Sequence, residues 1–314
     1  MKLLLRSIFA SFTISLVVCQ PLLAQEKNSS LEQMLAATQQ PNNTPISTFR
    51  ATRIISGHSI EHTPKGILDF RIAHRFSPMT DGFHSFFGLD GATIRLGLDY
   101  GFTNWLTVGI GRSSYQKEYD GFVKASLLRQ SYTKKIPLSI SYVGGISVTS
   151  LESSQLMGRQ LMSPEKYPFS NRLFFVNQLL LAKKINHWLS LQITPSHIHY
   201  NLVNTRSEPN DLFALGSAAQ FKISKRLSIN VEHYYQLNQL SNTRNAFGIG
   251  CDIETGGHVF QLHFSNAAHL TERGFIVQTT DNWKDGGFRF GFNISRVFTI
   301  VQPEQMRDSK NNIW

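Results

Sequence analysis

The sequence predicts an all-β fold, an antiparallel transmembrane β-barrel of about twelve strands preceded by a short polar N-terminal segment. Three observations predict it. Apolar and polar residues alternate with period two from about residue 66 almost to the end, as in strands with one apolar face. The connections between these segments alternate long and short, the layout of extracellular loops and periplasmic turns in an outer-membrane barrel. The first 25 residues read as an export signal.

Lys2 and Arg6 begin an acid-free stretch that is apolar through Ala24, and polarity starts at Gln25-Glu26. Residues 1–25 are therefore expected to be a signal peptide, cut after Ala24 or Gln25. Cys19 would permit lipoprotein processing, but bulky Val18 sits where a small residue is wanted. Removing the signal lowers the formal charge from +10 to +8 and leaves a single cysteine, Cys251, so no internal disulfide supports the fold. An exported basic chain is expected to meet lipopolysaccharide, anionic solutes or a partner surface, and no nucleic acid. Beyond the signal no apolar run approaches the roughly 18 residues a membrane helix needs, which excludes a polytopic helical protein.

Residues 26–65 form the next unit, an N-terminal periplasmic segment or a plug of the lumen. Positions 26–48 are rich in Gln, Asn, Ser and Thr, interrupted by a brief helical pattern at Leu31-Glu32-Gln33-Met34-Leu35. Positions 48–63 carry Ile54, Ile55 and Ile60 and are too apolar for a free tail. Arg50, Arg53 and His58 are the plug candidates, with Arg50 or Arg53 expected to pair with Asp69, Asp99 or Glu254.

The barrel is expected over residues 66–300, with a polar tail at 301–314. Twelve strands are read at 67–76, 92–101, 105–112, 121–130, 138–148, 171–183, around 189–194, 212–223, around 227–232, 247–254, 260–265 and 288–295. In 92–101, for example, Ala92, Ile94, Leu96, Leu98 and Tyr100 oppose Thr93, Arg95, Gly97, Asp99 and Gly101. The segment 171–183 is apolar on both faces and its register is not readable. Three short turns share one form, Phe102-Thr103-Asn104-Trp105-Leu106-Thr107, Ile185-Asn186-His187-Trp188-Leu189-Ser190 and Ile223-Ser224-Lys225-Arg226-Leu227-Ser228.

A strand protein can span a bilayer only by closing its sheet, because each backbone N–H and C=O must be paired internally. The Leu-, Ile-, Val- and Phe-rich faces should then meet lipid. Asp69, Arg71, Arg95, Asp99, Lys124, Glu232, Asp252, Glu254 and Arg289 stand opposite them and are the lumen-lining candidates, since a basic residue facing lipid costs about 2–4 kcal/mol at the midplane. The mean hydropathy of −0.17 and charged fraction of 17% look soluble at first. An average over a lipid-facing half, a lumen-facing half and polar loops gives the same figure.

The run Arg50-Ala51-Thr52-Arg53-Ile54-Ile55-Ser56-Gly57-His58-Ser59-Ile60-Glu61, followed by Lys65-Gly66-Ile67-Leu68-Asp69-Phe70-Arg71-Ile72, is distinctive. With it go Gly88-Leu89-Asp90, Gly111-Arg112-Ser113-Ser114-Tyr115-Gln116-Lys117, Ile253-Glu254-Thr255-Gly256-Gly257-His258-Val259-Phe260-Gln261-Leu262 and Gly291-Phe292-Asn293-Ile294-Ser295-Arg296. Over about residues 49–300 the chain resembles a family of bacterial outer-membrane β-barrel proteins defined by its barrel and not by an activity. The resemblance implies the same fold and location and carries over no catalytic or ligand residue.

Site chemistry is sparse. His197 and His199 share a strand face, as zinc or copper ligands can, but no third ligand is evident in sequence. His58 and His62, four apart around Glu61, would act together only on a helix, which Gly57 and Pro64 disfavour. There is no C-x-x-C-H and no G-x-S-x-G, and two S-x-x-K pairs (Ser131–Lys134, Ser163–Lys166) fall in a turn and a loop. No metal, cofactor or enzymatic activity is expected. The functions that fit are a narrow solute channel or an occluded membrane scaffold. The alternatives are a lipase-like membrane hydrolase, or a surface interaction protein using loops 149–170 and 266–286. The expected partners are the lipid bilayer, lipopolysaccharide, the barrel-assembly machinery and a small solute.

Overall fold

The computed structural model describes residues 47–132, 134–156, 168–255 and 258–301. The expected signal peptide, the polar stretch 26–46 with its helical pattern at 31–35, the Ser163–Lys166 pair and the tail after Val301 lie outside them.

Twelve antiparallel strands close into one barrel: β1 (Ile67–Phe76), β2 (Ala92–Gly101), β3 (Leu106–Ser113), β4 (Glu118–Leu128), β5 (Ser139–Thr149), β6 (Leu173–Lys184), β7 (Leu189–Tyr200), β8 (Asp211–Lys222), β9 (Leu227–Gln236), β10 (Ala246–Thr255), β11 (His258–Ser265) and β12 (Arg289–Thr299). Each strand pairs with its neighbours in sequence, and β12 returns to β1 with Ile72 opposite Ile294, so the described sheet has no open edge. Strand lengths of 8–12 residues match the roughly 9–11 that a tilted membrane strand needs. A six-residue helix, α1 (Glu272–Val277), lies in the connection between β11 and β12.

The two faces are sorted as a membrane requires. Leu96, Leu98, Ile110, Ile193, Leu215 and Ile249 are exposed on the outside, whereas Asp69, Arg71, Arg95, Lys124, Gln178, Gln192 and Asn293 are buried within. A soluble barrel would show the reverse. No described helix is long and apolar enough to cross a membrane, which says nothing about crossing by strands. Trp105 and Trp188, both exposed, stand at short turns, where an amphipathic ring suits the interface between lipid and water.

The inward face of β6 explains why its register could not be read. Phe174, Val176, Leu180 and Ala182 point inside with Gln178, while Leu173, Phe175, Leu179 and Leu181 lie on the other face. Inward apolar residues on this wall seat two inserts. Leu180 and Ala182 pack with Phe122 and Val143 against Phe49, Ile54, Ile55 and Ile60 of the N-terminal segment. Phe174 and Val176 join Ile198, Tyr200 and Leu212 around Phe275, Ile276 and Val277 of α1. Burying such side chains is worth about 1.5–3 kcal/mol each.

Candidate functional site

The site is the filled interior. From the short-turn end, residues 47–65 rise into the lumen as a hairpin and return. Its tip is a tight turn in which the Ile54 N–H donates to the Gly57 carbonyl at 2.9 Å, with Arg53 and His58 bridged behind it. Such a turn leaves the N–H groups of Ile55, Ser56 and Gly57 pointing outward, a concave cluster that favours an anion. Glu232 of β9 supplies it, accepting all three at 3.0–3.3 Å. On the other side Asn293 donates to the Ile55 carbonyl at 2.8 Å, and Gln261 to those of Arg53 and Ile54 at 3.1 and 3.0 Å. Gly57 must be glycine, because a Cβ there would stand 2.2 Å from the Tyr234 hydroxyl.

The descending arm is gripped by a buried cation. Lys124, 1% exposed, donates to the Ser59 carbonyl at 2.6 Å and also to that of Glu61. Glu61 accepts the N–H groups of Thr48 and Phe49 at 2.6 and 3.1 Å and faces Arg129 at 3.5 Å, tying both arms together. At the base, Arg50 pairs with Glu254 at 2.8 Å and donates to the carbonyls of Ser224 and Lys225.

From the opposite end the β11–β12 connection folds inward and carries α1 with it, every residue of α1 being buried. Arg273 grips Glu118 of β4 with Nε and Nη2 at 3.0 and 3.1 Å, and its guanidinium lies 3.8 Å over the Phe174 ring. Glu272, the first residue of α1, meets the hairpin: Arg53 donates to it, and His58 Nε2 lies 3.1 Å from the same oxygen. Burial alone would raise the Glu272 carboxyl, but Arg53 and then His58 hold it well below the usual carboxylate range. Two inserts from opposite ends thus join at one carboxylate.

The remaining lumen-lining candidates pair on the wall. Arg71 binds Asp69 at 2.5 Å and faces Asp99 at 3.6 Å. Arg95 binds Asp120 through both Nε and Nη2. Its guanidinium lies flat on the sheet over Gly111, where a Cβ would stand 2.3 Å from Nη2. Asp252 accepts from Gln261 and Gln220, and Arg289 pairs with Asp281. Arg53 does not reach Asp69, Asp99 or Glu254, because the hairpin carries it up to Glu272. Glu272, Glu118 and Arg273 were missed by sequence reasoning. The one signal was the apolar triplet Phe275-Ile276-Val277 in the connection 266–286, read as a long extracellular loop.

Two other constellations have bland chemistry. His197 Nε2 and His199 Nδ1 both lie 2.8 Å from Asp211 Oδ1, on the outward face of β7 and β8. Asp211 is the carboxylate that sequence could not place beside them. Both rings converge on a single acceptor oxygen, and no group of three His, Cys, Asp or Glu side chains among the described residues is arranged to hold a metal. His62 Nε2 lies 3.1 Å from Ser141 Oγ, but its other nitrogen meets Thr107, and Ser141 is fully buried. That pair lacks both the carboxylate that orients a catalytic histidine and a path for substrate.

The histidines of the hairpin are expected to make its seating sensitive to acid. Burial, then Lys124 and Arg129, lower His62 from 6.5 to about 3, and burial and Arg53 hold His58 well below 6.5 against the pull of Glu272. Below about pH 6.5 a displaced hairpin therefore binds protons that the seated one refuses, so acid favours displacement, increasingly down to about pH 3. Each such proton is worth about 1.4 kcal/mol per pH unit in that window. Reconstituted protein is expected to open more often at pH 5 than at pH 7.5 in bilayer recordings, and identical traces would contradict this.

A closed barrel with an apolar exterior and a packed polar interior defines a membrane β-barrel protein. The chain belongs to the family described as membrane bound beta barrel domain (DUF5777), whose model matches residues 49–298. The match begins at Phe49, so the luminal hairpin is part of the family's domain. No curated protein matches the sequence. Among solved structures the chain is similar to the KdgM porin, at 12% identity over 74% of this chain and 99% of that one, with a TM-score of 0.44. It is similar to the NanC porin at 9% identity over 74% and 100%, with a TM-score of 0.46. An outer membrane channel from Pseudomonas putida F1 follows at 13% identity over 76% and 98%, with a TM-score of 0.40. The fold assignment rests on the strand pairing and the family match, not on these likenesses.

Proposed function

We propose that this protein is a non-enzymatic outer-membrane barrel held closed from both ends, an occluded scaffold that conducts a small solute only when its inserts move. Export by residues 1–25, with the short turns in the periplasm and the long loops outside, is part of this reading. So are assembly by the barrel machinery, contact with lipopolysaccharide and a polar tail at 301–314. One observation carries the proposal: the hairpin of residues 47–65 and the helix α1 fill the lumen and meet at Glu272. A barrel that served as a standing pore would gain nothing from burying this much apolar and charged side chain in its path. The test is electrical. Pure folded protein in planar bilayers at pH 7.5 is expected to give no steady conductance steps, and a stable open level would overturn the reading.

A further inference from the structure

A cavity lies at the base of the luminal hairpin. It opens at the short-turn end of the barrel and has a volume of about 310 Å³, and its lining includes Arg50, Lys184, His187, Trp188, Lys222, Lys225 and Glu254. We propose that it binds a small polyanion bearing carboxylate or phosphate groups.

The charge inventory carries the argument. Glu254 is the one carboxylate lining the cavity, and Arg50 already cancels it at 2.8 Å. Arg50 is committed further, donating to the Lys225 carbonyl at 2.7 Å and the Ser224 carbonyl at 2.6 Å. Lys184 spends one of its three donors on the Ser47 carbonyl at 3.0 Å. Lys222 and Lys225 have no ion pair among the described residues. Three ammonium groups therefore share one concave space with no free acid to balance them. A cleft lined by one sign of charge, with protein walls of low dielectric, focuses the field and concentrates ions of the opposite sign. An anion entering the cavity relieves the repulsion among the three lysines.

Size and lining narrow the ligand. The volume falls at the lower end of the roughly 300–1,000 Å³ typical of small-molecule sites, enough for a citrate- or pyrophosphate-sized molecule and too little for a polymer. Phe49 and Trp188 offer an apolar wall. A phosphate could come from a soluble molecule or from a lipid headgroup, since the cavity lies beside Trp188 at the edge of the apolar band. The inference rests on the seated hairpin of the closed-barrel reading, because Phe49 and Arg50 line the cavity, but a conductance result and a binding result are separate readouts, so either can fail alone.

The test is calorimetric titration of the full chain, in neutral detergent at low salt, with citrate, with inorganic pyrophosphate and with short-chain phosphatidylglycerol, phosphatidylcholine serving as the control. Saturable one-site binding of a soluble anion is expected, weakened at least tenfold in the double variant K222Q/K225Q and weakened again by 0.3 M salt. In E254Q, where Arg50 loses its carboxylate, binding should tighten severalfold. Lys222 and Lys225 are exposed, so the double variant should still show a folded barrel by its heat-modifiable gel mobility. Binding of phosphatidylglycerol alone, also lost in K222Q/K225Q, would support the site and identify a lipid headgroup as the anion. No saturable binding by any probe, or unchanged affinity in K222Q/K225Q, would overturn the proposal.

Discussion

Glu272→Ala is expected to turn a silent barrel into one that opens. The wild-type carboxylate neutralises Arg53 and faces His58 at the junction of the two inserts, where Arg53 is 5% exposed. Removing one partner of a buried ion pair leaves an uncompensated charge and costs about 3–5 kcal/mol. The cheapest escape for Arg53 is to withdraw toward water, taking the hairpin with it. A shift of that size changes the closed-to-open ratio by about two to four orders of magnitude, since 1.4 kcal/mol is tenfold. Single-channel recordings should therefore show discrete openings in Glu272→Ala where the wild type is flat. The double variant Arg53→Met with Glu272→Leu separates two causes. It removes both charges and keeps apolar volume, and a buried pair replaced in this way is often no less stable. It should remain closed. Recordings of Glu272→Ala indistinguishable from wild type would mean that this junction does not hold the barrel shut.

The barrel wall was legible in the sequence because its information is local. A strand declares itself by the alternation of its own residues, and an inner face of Arg, Asp, Gln, Ser and Gly is hard to confuse with one that meets lipid. The closure was only half legible, for a physical reason in each case. Ile54, Ile55 and Ile60 marked the hairpin as too apolar to stay in water, yet nothing local says which wall Arg53 will find. Its partner Glu272 lies 219 positions away, in a connection with no periodicity. The inner face of β6 defeated the pattern for the same reason, since Phe174 and Leu180 are apolar to receive inserts that the strand itself does not encode. His199 and Asp211 illustrate a third kind of blindness. Their contact follows from the β7–β8 register, which places them opposite one another, and a register emerges only when neighbouring strands are paired.

Glu232→Ala is expected to release the tip of the hairpin. The carboxylate serves three backbone N–H groups, those of Ile55, Ser56 and Gly57, and no other described acceptor lies in that cluster. Hydrogen bonds to a charged group are worth about 1.5–3 kcal/mol each, and a buried donor left without a partner costs about 1–3 kcal/mol. Losing all three should cost at least about 3 kcal/mol, so the displaced form becomes about a hundredfold more populated. Arg75 would add to the effect, because it holds the same turn from the opposite side through the Ser56 hydroxyl at 3.2 Å and would lose the nearby anion that balances it. The readout is limited trypsin digestion of folded protein in detergent, scored by mass for the fragment that ends at Arg53. Cleavage there tracks the population of the open form as long as reclosing is faster than cutting. It should be negligible in the wild type, where Arg53 is buried, and at least tenfold faster in Glu232→Ala. Glu232→Gln keeps one acceptor oxygen, enough for some of the three donors, and should fall between the two. A wild-type digestion pattern in Glu232→Ala would show that the apolar seat of Phe49, Ile54, Ile55 and Ile60 holds the hairpin without the anion.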